Sequence, residues 1–320
     1  VASSSTKSQL NQQKVIYLHQ NIIEWFERFA RDLPWRAEDR TAWAVMVSEF
    51  MLQQTPVVRV LPIWKTWMER WPTPADLAAA DSSEVVRAWG RLGYPRRALR
   101  LHAAAQAIVE KHDGQVPASY EDLLALPGVG SYTAAAITVF AFGGRATVID
   151  TNIRRVHARA VLGKALPSKS LTAAETRLAE ALMPDGLEES VLWNAATMEL
   201  GALICTAKSP QCEACPVQAE CAWILAGKPE PDYVPRGQAW AGTDRQLRGA
   251  MMAVLREATG PLPRDFLLSP ATADLKYPDE NVPALENLKK LNSPTDQVIR
   301  CYNGLIEDGL ARERDGKVSL

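Results

Sequence analysis

Apolar residues recur at helical spacing over 15–31 (VIYLHQNIIEWFERFAR), which predicts an amphipathic helix. The pattern continues as a helix over 42–54 (AWAVMVSEFMLQQ…) and another over 82–90, capped by Asp81 and ended by Gly90 and Gly93. An Ala- and Leu-rich amphipathic helix is expected at 97–112, and a shorter one at 119–126. LPGVG at 126–130 then breaks the pattern, and SYTAAAITVFAF resumes it. Further helices are expected over 150–162, 170–183 and 189–204. Strand signals are few: ATVI at 146–149, and two short strands about an Asp-Gly turn at 311–320. The fold class is all-α, with a possible small α+β tail.

Two composition changes divide the chain. Residues 1–13 (VASSSTKSQLNQQ) are polar, lack an apolar core and read as a disordered leader. Residues 227–243 are rich in Pro and Gly and read as a linker. Beyond it, 244–320 shows helices at 244–257 and 295–309 ahead of the terminal hairpin. That order suits a winged-helix-like module, the alternative being a helical appendage that only packs on the core.

The chain has 320 residues, enough for two or three domains, and 47% of them are hydrophobic. No apolar run approaches the length of a membrane span, so no membrane partner is expected. The formal net charge is -1, yet 87–111 and 145–164 are strongly basic stripes. Such stripes could grip phosphates on one face, the alternative being a solvated helix face. Four of the five cysteines fall together as Cys205, Cys212, Cys215 and Cys221, spaced C-x6-C-x2-C-x5-C. A disulfide framework suits small secreted chains better than this one. Zinc sites usually pair two short knuckles, and only one is present here. Four thiolates at such uneven spacing fit an iron–sulfur cube at least as well, so on spacing alone both metals stay open. Free thiols at a metal imply a reducing compartment, so a cytoplasmic, nucleoid-associated protein is expected. Cys301, on an apolar helix face of the tail, reads as a buried thiol.

The glycines of LPGVG permit a tight turn and expose amides at the start of the next helix, a ready phosphate site; the alternative is a turn with no ligand. Some twenty residues on, VIDTNIRRVHAR places Asp150 at the entry to a basic helix, as a cap, a cleft carboxylate or both. LPGVGSYTAAAI, VIDTNIRRVHAR and the four-cysteine loop together resemble the helix-hairpin-helix DNA glycosylases that carry an iron–sulfur cluster. The segment WAVMVSEFMLQQTPVVRV narrows the resemblance to MutY-type adenine glycosylases, with Glu49 just before MLQQT.

The resemblance implies a two-lobed helix-hairpin-helix glycosylase fold with a 4Fe–4S cluster on Cys205, Cys212, Cys215 and Cys221. One lobe would be 14–39 plus 146–226 and the other 40–145. Double-stranded DNA would lie in the cleft of a monomeric enzyme, with Gly128, Val129 and Gly130 on a phosphate. The implied reaction is hydrolysis of the N-glycosidic bond of a flipped-out adenine mispaired with 8-oxoguanine or guanine. Glu49 would protonate adenine N7, and Asp150 would stabilise the positive sugar. Asn152 would orient the water or Asp150, with Tyr132 buttressing that water. Tyr132 also occupies the position where lyase relatives carry lysine, so strand cleavage through a Schiff base is not expected. Gln53, Gln54 and Tyr94 match positions that wedge into the duplex and touch the opposite base, and Trp35, Arg36 and Glu199 match an adenine-pocket set. DTN replaces the more usual DGN. The pattern of the Nudix-like domain that ends many members is not found after residue 238. Competing readings are a thymine mismatch glycosylase, which would lack the Glu–MLQQT signature, and a non-catalytic redox-sensing DNA-binding regulator.

Overall fold

A computed structural model describes residues 11–234, 237, 239–269 and 283–320. Helices follow in the order α1 (Gln12–Phe29), α2 (Ala42–Leu52), α3 (Val57–Arg70), α4 (Pro74–Ala78), α5 (Ser82–Trp89), α6 (Arg96–Lys111), α7 (Tyr120–Ala125) and α8 (Ser131–Phe142). Then come α9 (Thr151–Ala160), α10 (Ala173–Ala181), α11 (Leu187–Leu203), α12 (Ala222–Leu225), α13 (Asp244–Glu257), α14 (Asp265–Leu268), α15 (Pro283–Lys290) and α16 (Thr295–Glu307). Strands β1 (Leu262–Pro263), β2 (Arg312–Arg314) and β3 (Lys317–Ser319) lie in the last stretch. No helix among the described residues is long and apolar enough to cross a membrane.

Most of the expected leader lies outside the described residues. α1 starts earlier than its apolar pattern suggested because the Asn11 side chain accepts from the backbone of Gln13 and caps it. α2 ends at Leu52, so Gln53 and Gln54 form a turn instead of a last helical step. The periodicity reading placed nothing over 57–78, where Pro62 sits inside α3 and blurs the pattern. The strand expected at 146–149 does not form. Instead the Asn194 side chain accepts from Val148 N–H at 3.0 Å and donates to Ala146 carbonyl at 3.1 Å. One amide side chain thus satisfies backbone groups that a neighbouring strand would otherwise take.

The chain divides into two compact units, each built from two separate stretches: Val1–Glu49 with Val116–Pro235, and Phe50–Gln115 with Arg236–Leu320. The boundaries fall after Glu49 within α2, and after Gln115. In the first unit, α11 packs against both α1 and α9, and α7 against α8. Leu18, Ile22 and Trp25 of α1 meet Trp193, Ala196 and Leu200 of α11 in one core, with Cys205 and Cys215 at its edge.

In the second unit α4 and α5 pack on α6, and α13 packs on α15 and α16. β1 and β2 both pair antiparallel with β3, giving the sheet order β1-β3-β2. Helix, strand, helices and hairpin follow the winged-helix order. Asp315 and Gly316 both have positive φ, as a tight two-residue hairpin turn requires. The core of this module reaches back to Val86 and Leu99. The Arg87 guanidinium donates to the carbonyls of Arg256 and Ala258, Arg312 donates to Ser82 Oγ, and Arg96 pairs with Asp308 at 3.3 Å. Part of the basic stripe at 87–111 is therefore spent on docking the tail. Cys301 is buried, as its apolar helix face suggested.

Candidate active site and cluster loop

α2 carries Glu49 into the first unit, where its side chain is only 6% exposed. Tyr132, in the first turn of α8, donates its hydroxyl to Glu49 Oε2 at 3.1 Å. Burial pushes the Glu49 carboxyl up to about 7, and nearby Asp150 adds to this; the Tyr132 hydrogen bond and the Arg36 charge work against it. Burial also raises Tyr132 well above the usual phenol range, with both carboxylates adding, so it stays a hydroxyl and a donor. Its recorded bond is thus to Glu49.

Asp150 is the N-cap of α9. Its Oδ1 accepts from Ile153 N–H at 2.7 Å, and its Oδ2 accepts from Asn152 Nδ2 at 2.8 Å. Burial raises its pKa, and these hydrogen bonds and Arg155 offset part of the rise. Asp150 is therefore a helix cap through one oxygen, and its other oxygen is held by Asn152. Asn152 orients Asp150 directly, while Thr151 is exposed beside it.

Behind this pair, Arg155 donates to Asn152 Oδ1 at 2.8 Å, to Gly201 carbonyl at 2.6 Å and to Cys205 carbonyl at 2.6 Å. A continuous chain of hydrogen bonds thus runs from the first cysteine of the loop to Asp150. One turn on, Arg159 donates to Cys205 Sγ at 3.4 Å and to Thr206 carbonyl at 2.7 Å. Arg155 and Arg159 are both buried, so the stripe at 145–164 is neither a solvated face nor an open phosphate grip at these positions. Their i, i+4 spacing in RRVHAR put them on one helix face, the signal that could have revealed them.

Gly201 of α11 lies against Asn152 so closely that an added Cβ would sit 2.7 Å from Asn152 Cβ and 2.9 Å from its carbonyl oxygen. Gly201→Ala is expected to displace Asn152, destabilise the fold by about 1–3 kcal/mol and slow any reaction that depends on Asp150 by at least about tenfold. Thermal melting and single-turnover kinetics on the same preparation check both parts.

Glu199 is fully buried. Arg31 clamps it through both carboxylate oxygens at 2.7 and 2.6 Å, and Arg36 adds a contact at 3.0 Å. Burial alone would raise this carboxyl, but the two arginines outweigh it and hold it at about 2. Glu199 is thus occupied in holding arginines. Trp35 is buried beside them in sequence, and Arg36 keeps one buried terminal nitrogen, NH1, with no hydrogen-bond partner among the described residues. Gly128 turns at φ +77°, and the Val129 N–H is given to Leu126 carbonyl inside the turn, which leaves that amide already engaged. Gln53, Gln54 and Tyr94 belong to the second unit, where Gln54 and Tyr94 both have positive φ.

All four loop cysteines are free thiols, so no disulfide links them. Burial pushes the Cys215 thiol up to about 12, and each of the other three adds to that rise. The four sulfurs therefore share one neighbourhood. Among the described residues no group of His, Cys, Asp and Glu converges as ligands of a single ion would. An iron–sulfur cube takes its thiolates at separate corners, so its ligands need not meet at one point. The donor set and the buried Arg159 cation against Cys205 fit such an anionic group.

Residues 47–181 match the HhH-GPD superfamily of base excision DNA repair proteins, and 205–221 match the iron-sulfur binding domain of endonuclease III. The second match begins and ends on Cys205 and Cys221, and the cofactor is a 4Fe–4S cluster. A protein of Mycolicibacterium smegmatis named adenine DNA glycosylase is 49% identical over 300 residues, covering 93% of this chain and 94% of the relative. One of the same name from Mycobacterium tuberculosis is 50% identical over 245 residues, covering 76% and 80%. Among solved structures, a thermostable thymine-DNA glycosylase superposes with a TM-score of 0.60 at 28% identity, covering 67% of this chain and 98% of that one.

Proposed function

Because the chain belongs to the adenine DNA glycosylase family, we propose that it excises adenine mispaired with 8-oxoguanine or guanine from double-stranded DNA, acting as a monomer. The observation that carries the reading is Glu49, buried, bonded to the Tyr132 hydroxyl and raised to about 7 beside Asp150. A carboxyl at that value is substantially protonated at neutral pH and can donate, while the hydrogen bonds from Asn152 and Ile153 N–H and the Arg155 charge favour the anion at Asp150 against its burial.

Once the adenine is flipped out, Glu49 gives its proton to N7. The C1′–N9 bond breaks, its electron pair leaves with the base, and the sugar becomes a cation. Asp150, held by Asn152 and by Ile153 N–H, faces that cation with a fixed negative charge. Water adds at C1′ and passes its proton to the Glu49 carboxylate, which restores the acid. The products are free adenine and an abasic site. Tyr132 offers no amine, so the sugar is not captured as a Schiff base. Cys205, Cys212, Cys215 and Cys221 would hold the cluster, whose part would be to fix the loop on which Arg155 leans.

The thymine reading has a structural neighbour in its favour but meets an acidic residue at 49, which suits protonation of a purine ring nitrogen. Single-turnover base release from duplexes with adenine opposite 8-oxoguanine, guanine and thymine tests the proposal. Release is expected to be fastest opposite 8-oxoguanine. Tight duplex binding with no adenine released from any pair would overturn it.

A further inference from the structure

The second unit holds a buried cation with no acidic partner among the described residues. Arg97, at the start of α6, is 6% exposed and forms no ion pair with a carboxylate among the described residues. Its guanidinium is surrounded by oxygen atoms from the end of α2 with the loop that follows it, and from the loop that precedes α6. On one side are the carbonyls of Phe50 and Met51 at 2.9 and 3.0 Å, the carbonyl of Gln53, and Thr55 Oγ1 at 2.9 Å. On the other are the carbonyls of Leu92 and Gly93 at 3.5 and 3.0 Å. The first set includes the C-terminal end of α2, where the helix dipole favours a cation. The Thr55 hydroxyl bridges the same loops through Leu92 carbonyl at 3.2 Å.

Each loop carries one non-glycine residue in the left-handed region, Gln54 at φ +54° and Tyr94 at φ +47°. Such residues keep this conformation only when their surroundings impose it. Both are exposed, and the Tyr94 ring lies 5.6 Å from the Arg97 guanidinium. Trp89 closes the other flank, with its ring 5.1 Å from the guanidinium and its Nε1 donating to Gly93 carbonyl. Two exposed tips are thus fixed against one buried charge.

We propose that Arg97 is a positioning residue for reading the base opposite the adenine, holding Gln54 and Tyr94 as a single rigid unit. This rests on the proposed function above. Glu49 precedes the contacted carbonyls on α2 and Asp150 lies in neither segment, so the rate on the better duplex reports bond cleavage and the ratio of rates reports discrimination. The backbone carbonyls cannot be removed by substitution, but the cation and the threonine oxygen can.

The test compares Arg97→Lys, Thr55→Val and Thr55→Ser in the full chain. It reads single-turnover adenine release opposite 8-oxoguanine and opposite guanine at saturating enzyme. A lysine keeps the charge but cannot fork to both loops. The ratio of the two rates is expected to fall by about tenfold in Arg97→Lys, as the loss of charge-assisted hydrogen bonds implies. It should fall less in Thr55→Val and return in Thr55→Ser, with cluster absorption and the rate on the better duplex within about twofold of wild type. If Arg97→Lys does not fold, the threonine pair carries the test. A ratio unchanged in the variants, a wild-type ratio near one, or equal loss on both duplexes overturns the inference. Wild-type protein that releases no adenine at all would instead sink the proposed function on which it rests.

Discussion

Glu49→Gln is expected to abolish most adenine release while making the protein more stable. Loss of a positioned general acid removes about 10²–10⁴-fold in rate. The opposite effect on stability follows from burial. The native carboxyl sits at about 7, above its ordinary value of 4.5, so the folded chain holds a proton that the unfolded chain gives up. Stability therefore declines as pH rises from about 4.5 to 7 and stays low above that, by about 3 kcal/mol in all. Gln carries no charge and still accepts from Tyr132. At pH 8 the variant should melt roughly 5–10 °C higher than wild type, and at pH 4 the two should coincide. Calorimetry at both values checks it, and equal melting at pH 8 would show that Glu49 is not raised. In the wild type, base release should fall as pH passes above 7, because the acid is lost. It should also fall at low pH, as Asp150 takes up a proton at a value raised by its burial.

Asp150→Asn should lower the rate of the chemical step by at least about 10²–10³-fold, the scale for removing fixed charge from a developing ion. Duplex affinity should be kept, since phosphate contacts dominate it. The substitution is mild for folding because Asn caps helices as well as Asp, so the bond to Ile153 N–H survives. A second consequence is local. The new amide would set one NH2 group against that of Asn152, which now donates to Asp150. Turning the Asn152 amide relieves this, but then its NH2 group faces Arg155 and the bond at 2.8 Å is lost. A loss of about 1–2 kcal/mol in stability is expected from that exchange. Turnover near the wild-type rate would remove Asp150 from the mechanism.

The helices were legible in the sequence because their signals are local, whereas Glu49 and Asp150 stood out only through the family resemblance of the segments around MLQQT and VIDTN. Apolar spacing marked α1, α6 and α13, Asp81 marked the start of α5, and the Asp-Gly turn marked the β2–β3 hairpin. The four cysteines announced a metal by composition alone. What stayed hidden were the groups that join distant segments through the backbone. Arg97 and Arg155 are satisfied largely by carbonyl oxygens, and every residue has one, so no complementary acidic pattern appears in the chain. Asn194 took the place of a strand partner for 146–148 by the same means. Gly201 was visible in MELG, but its need for smallness depends on Asn152, nearly fifty residues away. The basic stripes misled for a related reason: a sequence shows where charges are, not whether they face water.

The interleaving of the two units sets a timetable for synthesis. α1 finds its main partner only in α11, so Leu18, Ile22 and Trp25 have nowhere to bury until residue 203 has been made. At ribosomal speeds of about 5–20 residues per second, that wait is on the order of 10–30 s. The stretch 50–115 waits in turn for 236–320. The first unit is complete once residue 235 has been made and the second only later, and the nascent chain carries an uncovered apolar helix from the end of α1 until α11 emerges. Yield in the cell should therefore track translation speed and chaperone supply more closely than the melting temperature of the finished protein.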